Sequence, residues 1–167
     1  MTINDQKISG EEAEHFIGKN AYYYLRKWTE MEGNALPISM NFDAFVAHFY
    51  WAAYRKMYFY SGLTLAILLV AAFADLWFEL EKYLIRGMIV LTMILYGAFG
   101  NYMYQKHAKN SVITLRKKNF SQNQYKTELI RIGGTSIKSL IILTVCLVIS
   151  LFIVSLPFAV REVLSRQ

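Results

Sequence analysis

Residues 57–78 read MYFYSGLTLAILLVAAFADLWF, and the fold class follows from that block. Its one charged residue, Asp75, falls in what would be the last turn of a helix. At a rise of ~1.5 Å per residue, a helix of this length covers a hydrocarbon core ~30 Å thick. Tyr58 and Tyr60 stand at one end and Trp77 at the other, where amphipathic rings favour the headgroup level. The block therefore predicts a membrane span.

Two further apolar blocks follow. A charged turn from Glu79 to Lys82 leads into a second span over 83–104, near whose start Arg86 can extend its charge to the interface. The third span is predicted over 139–160, with Pro157 late enough to disturb only its end. The apolar fraction of 55% is concentrated in these blocks, which excludes an ordinary soluble domain. The fold class expected is all-α: an integral membrane helical bundle with three transmembrane helices.

The first 35 residues are polar and lack the apolar core of a secretory signal, so the N-terminal part is expected to stay in the cytoplasm. Arg55-Lys56 before the first span and the basic stretch 105–138 after the second agree with the positive-inside rule. The tail from Arg161 to Gln167 then lies on the outer side. This divides the chain into a cytoplasmic helix and linker, 1–38, and a membrane domain, 39–167.

The net charge of +6 is unevenly spread. Residues 1–50 are net acidic, whereas 105–138 holds eight Lys and Arg residues against Glu128 alone. Placed between two spans, this basic loop suits anionic lipid headgroups, with Arg116, Lys117 and Lys118 as the candidates, and not nucleic acid. Val112, Leu115, Leu129 and Ile132 predict one or two surface helices within it. In the N-terminal part, Ser9 and Glu12 form a capping box. Phe16, Tyr23 or Tyr24, and Trp28 then recur at helical spacing, predicting one amphipathic helix over 11–31 that Gly33-Asn34 stops. The acidic helix and the basic loop fall on the same side. Either they dock on each other or the helix presents a surface to a partner, and the alternative is two separately solvated faces.

The stretch 41–54, NFDAFVAHFYWAAY, is too short for a regular crossing and suits an interfacial or re-entrant element. A fourth crossing is the alternative, although Asp43 and His48 would be costly at mid-bilayer.

Within the spans, small residues form faces. Gly62 and Ala66 make a small-xxx-small pair, and Gly97 and Gly100 thin the second span. Ser139, Cys146 and Ser150 lie within about 20° of one line on a regular helix. Such faces serve as packing seams more often than as pore linings. Cys146 is the only cysteine, which excludes an intrachain disulfide. His15, His48 and His107 occupy separate segments without a second histidine at i+3 or i+4, so no metal site is expected. There is no phosphate-binding glycine loop and no Gly-x-Ser-x-Gly elbow. In Gly133-Gly134-Thr135-Ser136 the residues Thr135 or Ser136 are read as a cap for the third span. No catalytic residue, cofactor or metal is expected.

Residues 39–58 read SMNFDAFVAHFYWAAYRKMY. This resembles the signature of a family of small bacterial membrane proteins known as domain of unknown function 2628, whose pattern runs Ser-Trp-Asn-Trp, an aromatic run with a Gly-Pro break, a tryptophan, then Tyr-Arg-Lys-Met-Tyr. Ser39, Asn41, Phe42, Ala44, Phe45, Trp51, Tyr54, Arg55, Lys56, Met57 and Tyr58 stand at matching places. The stretches 16–28 and 133–136 are also similar to family patterns. Met40 replaces the first tryptophan, and Ala47-His48 stand where the Gly-Pro break belongs, which removes the usual signal for a sharp turn. The resemblance implies a multi-span protein of the bacterial inner membrane, with Asn41, Trp51, Tyr54, Arg55, Lys56 and Tyr58 as signature residues at the interface. It carries no activity.

The function expected from these readings is a non-enzymatic subunit or scaffold of a membrane complex, working with a membrane-protein partner or as a homo-oligomer. One alternative is a homo-oligomeric channel with the Ser139-Cys146-Ser150 face as its pore stripe. Another is a lipid-acting enzyme using Asp43, His48 and Arg55.

Overall fold

The computed structural model describes residues 8–78 and 83–165, and the charged turn at 79–82 and the last two residues of the tail fall outside them. Among the described residues there are seven helices and no strand. They are α1 (Gly10–Ile17), α2 (Ala21–Met31), α3 (Phe42–Tyr54), α4 (Tyr58–Phe78), α5 (Tyr83–Arg116), α6 (Gln122–Ile132) and α7 (Ile137–Ser165). Helices α4, α5 and α7 are long and apolar enough to cross a membrane.

The capping box on α1 forms as its sequence predicts: Ser9 Oγ accepts from Glu12 N–H, and the Glu12 carboxylate accepts from Ser9 N–H at 2.8 Å. The single helix predicted over 11–31 does not form. Gly18 (φ +62°) and Asn20 (φ +71°) turn the chain left-handed and split it into α1 and α2. Glycine and asparagine are the residues that take this conformation most readily, and the turn lets both short helices lay Phe16, Ile17, Tyr24 and Trp28 against one core.

The helix that carries the second predicted span, 83–104, is longer than that span. α5 continues unbroken for three further turns to Arg116, because Ala108, Val112 and Leu115 keep one face apolar among the lysines. That face and Leu129 of α6 close over α1 and α2 in a compact cap. The basic stretch thus becomes the end of α5 plus α6. Ser136 caps α7, its Oγ accepting from Ser139 N–H.

Helix α3 is broken at His48, whose φ of 29° and ψ of −109° are not helical. Asn41, before the break, bonds to Asn101 of α5, and Arg55, after it, lies over the ring of Tyr104, one turn along the same helix. Ala44 and Trp51 both pack at Gly100, one from each half. The chain from Asn41 to Arg55 therefore starts and finishes at about the same level of α5, so the segment is a helical hairpin with His48 at its tip. The tip is wedged among Leu65, Leu68, Ile89 and Leu147, drawn from all three long helices.

Candidate functional site

The hairpin is held from both sides by polar groups that fix its register. Ser39 N–H donates to the Ala98 carbonyl at 3.0 Å and Asn41 N–H to the Gly97 carbonyl at 2.9 Å. Asn41 Nδ2 donates to Asn101 Oδ1 at 2.8 Å, Asn101 Nδ2 donates to the Ser39 carbonyl and hydroxyl, and Trp28 Nε1 donates to the Asn101 carbonyl at 3.1 Å. One buried asparagine thus ties the hairpin, α5 and α2 together. The close approach needs Gly97 and Gly100, where an added Cβ would lie 2.9 Å from Phe45 Cβ and from Ala44 Cβ respectively.

The returning arm ends on Arg55, which is 4% exposed. Its guanidinium lies 4.5 Å from the Tyr24 ring centroid and 5.2 Å from that of Tyr104. Tyr104 is itself ringed by Phe16, Tyr24, Trp28 and Trp51. Arg55 Nη1 donates to the Lys19 carbonyl at 3.5 Å, while Nε has no acceptor among the described residues. A cavity of about 360 Å³ lies against this arm, bounded by Lys19 of the α1–α2 turn, by Asp43, Trp51 and Arg55, and by Thr135 and Leu140 beside α7.

The loop 133–136 passes between α1 and the hairpin. Gly134 N–H donates to the Phe16 carbonyl at 2.6 Å and Ser136 N–H to the Tyr54 carbonyl at 2.9 Å. A Cβ on Gly133 would fall 2.0 Å from the Phe16 oxygen, so only glycine fits this crossing. Lys56 Nζ donates to the Arg131 carbonyl at 2.9 Å, and partial burial, then the nearby Arg131 charge, depress its ammonium below the ordinary lysine range. Tyr58 Oη and Ser139 Oγ lie 3.0 Å apart.

A second polar cluster closes the cap. Glu12 receives hydrogen bonds from Arg116 Nε (2.9 Å) and Nη2 and from Tyr125 Oη (2.6 Å). Partial burial pushes the Glu12 carboxyl up, but the bonds from Arg116, Tyr125 and Ser9 outweigh it and hold the group at about 2. Burial first, and then Glu12 itself, push the Tyr125 hydroxyl up to about 12. The acidic N-terminal helix and the basic stretch do dock, through this cluster.

The residues singled out from sequence divide accordingly. Asn41, Trp51, Tyr54, Arg55, Lys56 and Tyr58 converge on the hairpin and its junctions with α2, α6 and α7. Gly97 and Gly100 face the hairpin. Gly62 and Ala66 lie on an open face of α4, with nothing within 4 Å of a Cβ placed on Gly62. Ser150 donates to its own helix at the Cys146 carbonyl, and Cys146 is exposed. Arg116 is taken up by Glu12, while Lys117 and Lys118 are exposed. Asp43 and Arg55 share the 360 Å³ cavity, but His48 lies in a separate apolar one, so the three are not one constellation. Sequence reasoning missed Asn101, although an asparagine inside an apolar run two residues from a span's end is itself a signal for a buried partner.

No curated protein and no solved structure matches this chain. A family model does match, over residues 7–109, which takes in α1, α2, the hairpin, α4 and α5 up to its last two turns, and leaves out α6 and α7. The region that the hairpin organises is thus the region the family shares, and the chain belongs to the family described as Protein of unknown function (DUF2628).

Proposed function

We propose that this chain is a small, non-enzymatic subunit or scaffold of a membrane complex in the bacterial inner membrane, with its N terminus in the cytoplasm. In this reading α4, the first part of α5 and α7 cross the bilayer. The hairpin α3 re-enters it from the cytoplasmic side, and the cap of α1, α2, α6 and the end of α5 stands in the cytoplasm. The observation that carries it is the division of labour between the two halves. Most of the polar and aromatic contacts fix the cap to the hairpin, whereas the half-buried positions of α7 form one stripe, Ser139, Leu140, Leu143, Leu147, Ser150 and Val154. Ile142, Val145, Ile149 and Phe152 of α7 stay exposed, and so do Gly62 and Ala66 of α4. Such small-residue and apolar faces suit helix–helix association in a bilayer.

Extraction into nanodiscs followed by mass measurement tests this reading. A co-purifying membrane protein or a defined homo-oligomer is the expected result, and a lone monomer would count decisively against it. The topology is tested separately in a Cys146→Ser background. A single cysteine at residue 123 should react with a membrane-impermeant maleimide only from the cytoplasmic side, and one at residue 48 from neither. The channel alternative is less well supported, because Ser139 and Ser150 already bond within the chain.

A further inference from the structure

Arg55 presents an electrostatic imbalance. Its guanidinium is buried, yet none of the ion pairs among the described residues includes it. An uncompensated buried charge is strongly unfavourable, and two ring faces at 4.5 and 5.2 Å offset only part of that. The Lys19 carbonyl, at 3.5 Å, is a long contact. What remains is a demand for an anion.

The adjoining cavity is furnished to supply one. Lys19 brings a second cation to its wall. Trp51, 4% exposed, also lines it, and among the described residues its buried indole N–H has no acceptor, just as Arg55 Nε has none. These groups are donors only, and a guanidinium fork matches the spacing of phosphate oxygens. Asp43, exposed on the same cavity and in no ion pair among the described residues, would repel a free anion at the rim, but it can pair with an amine or hydroxyl carried beside the phosphate. Leu140, in the first turn of α7, forms an apolar wall where the long apolar helices begin.

We infer that the cavity between Lys19, Trp51 and Arg55 binds a phosphate group, with the guanidinium and the indole N–H as its donors. The group can arrive on a phospholipid headgroup or as a soluble phosphate, and the two sources separate in one experiment. The full chain in maltoside detergent is titrated with phosphatidylethanolamine, phosphatidylglycerol, diacylglycerol and inorganic phosphate, read by melting temperature and by native mass spectrometry. Phospholipid, but not diacylglycerol, should raise the melting temperature and leave a retained adduct. An equal response to inorganic phosphate would assign the site to a soluble ligand.

Lys19→Gln alters an exposed side chain and should leave the ligand-free melting temperature unchanged, while weakening the apparent affinity by roughly tenfold, as loss of one charge-assisted bond does. Arg55→Lys keeps the charge but removes the fork, and should abolish the adduct. Equal responses to phospholipid and diacylglycerol, no response to any phosphate, or a Lys19→Gln titration that superimposes on the wild type would overturn the assignment.

Discussion

Asn41 and Asn101 meet side chain to side chain inside the bundle, with Asn41 Nδ2 donating to Asn101 Oδ1 at 2.8 Å. Both are buried, and both use the other end of the amide as well: Asn41 Oδ1 accepts from Ala44 N–H and Asn101 Nδ2 serves Ser39. The pair works as a register pin. It caps the outgoing arm of the hairpin and at the same time fixes which turn of α5 that arm lies against.

Replacing Asn101 with leucine keeps the volume but leaves the Asn41 amide and the Ser39 carbonyl without partners. The loss should be about 2–3 kcal/mol, since an orphaned buried polar group is penalised by ~1–3 kcal/mol. Thermal melting in detergent checks it, and a double variant with Asn41→Leu should recover part of the loss.

Glycines on the two faces of the bundle should respond in opposite ways. Gly100→Ala drives a Cβ to 2.9 Å from Ala44 Cβ, an overpacking expected to be penalised by about 1–3 kcal/mol. Gly62→Ala meets open space and should stay within about 0.5 kcal/mol of wild type. Parallel melts of the two variants measure the contrast.

His48 carries a backbone conformation that side chains seldom adopt. Strain of this kind is worth ~1–3 kcal/mol, so His48→Gly should be at least as stable as wild type, while the β-branched His48→Val should melt lower. A His48→Gly variant that melts well below wild type would show that the imidazole itself secures the tip.

The Glu12 cluster makes attachment of the cap depend on pH. A carboxyl held at about 2 against an ordinary 4.5 adds stability that is complete above pH about 4.5 and is lost as the pH falls through about 2. Tyr125, raised to about 12 from 10.0, adds stability that is complete below pH about 10 and is lost as the pH rises through about 12. Tryptophan emission, which reports on Trp28 in the cap, should show an acid transition between pH about 4.5 and 2. Glu12→Gln should lack that transition.

The three long helices were legible because uninterrupted apolar length is a strong signal, and the caps at Ser9 and Ser136 because each binds within three residues of itself. The features that were misread depend on contacts distant in sequence. The run of α5 past Tyr104 is not legible locally, because its Ala108-Val112-Leu115 face is apolar only toward α1 and α6, which the sequence does not place. Gly18 and Asn20 were available as turn residues, yet the aromatic spacing runs through them almost in phase. The hairpin turn lacks the Gly-Pro that usually marks one. Packing against Gly97, Gly100 and the aliphatic side chains of three helices forces His48 into the role instead. The Arg55 cage was legible only in its parts, since Tyr24, Trp51 and Tyr104 come from three separate helices.

Helix α5 is a single rod of 34 residues, about 50 Å long at 1.5 Å per residue. The hairpin is pinned near its middle and the cap is bolted to its far end, so the two share one rigid axle. A partner that grips the cap and twists it cannot leave the hairpin behind: torque applied at Glu12 and Leu129 is delivered at Asn41 and His48. The molecule is in this sense a gearless transmission, and whatever reaches the cap end of α5 is felt about twenty ångströms further along the shaft.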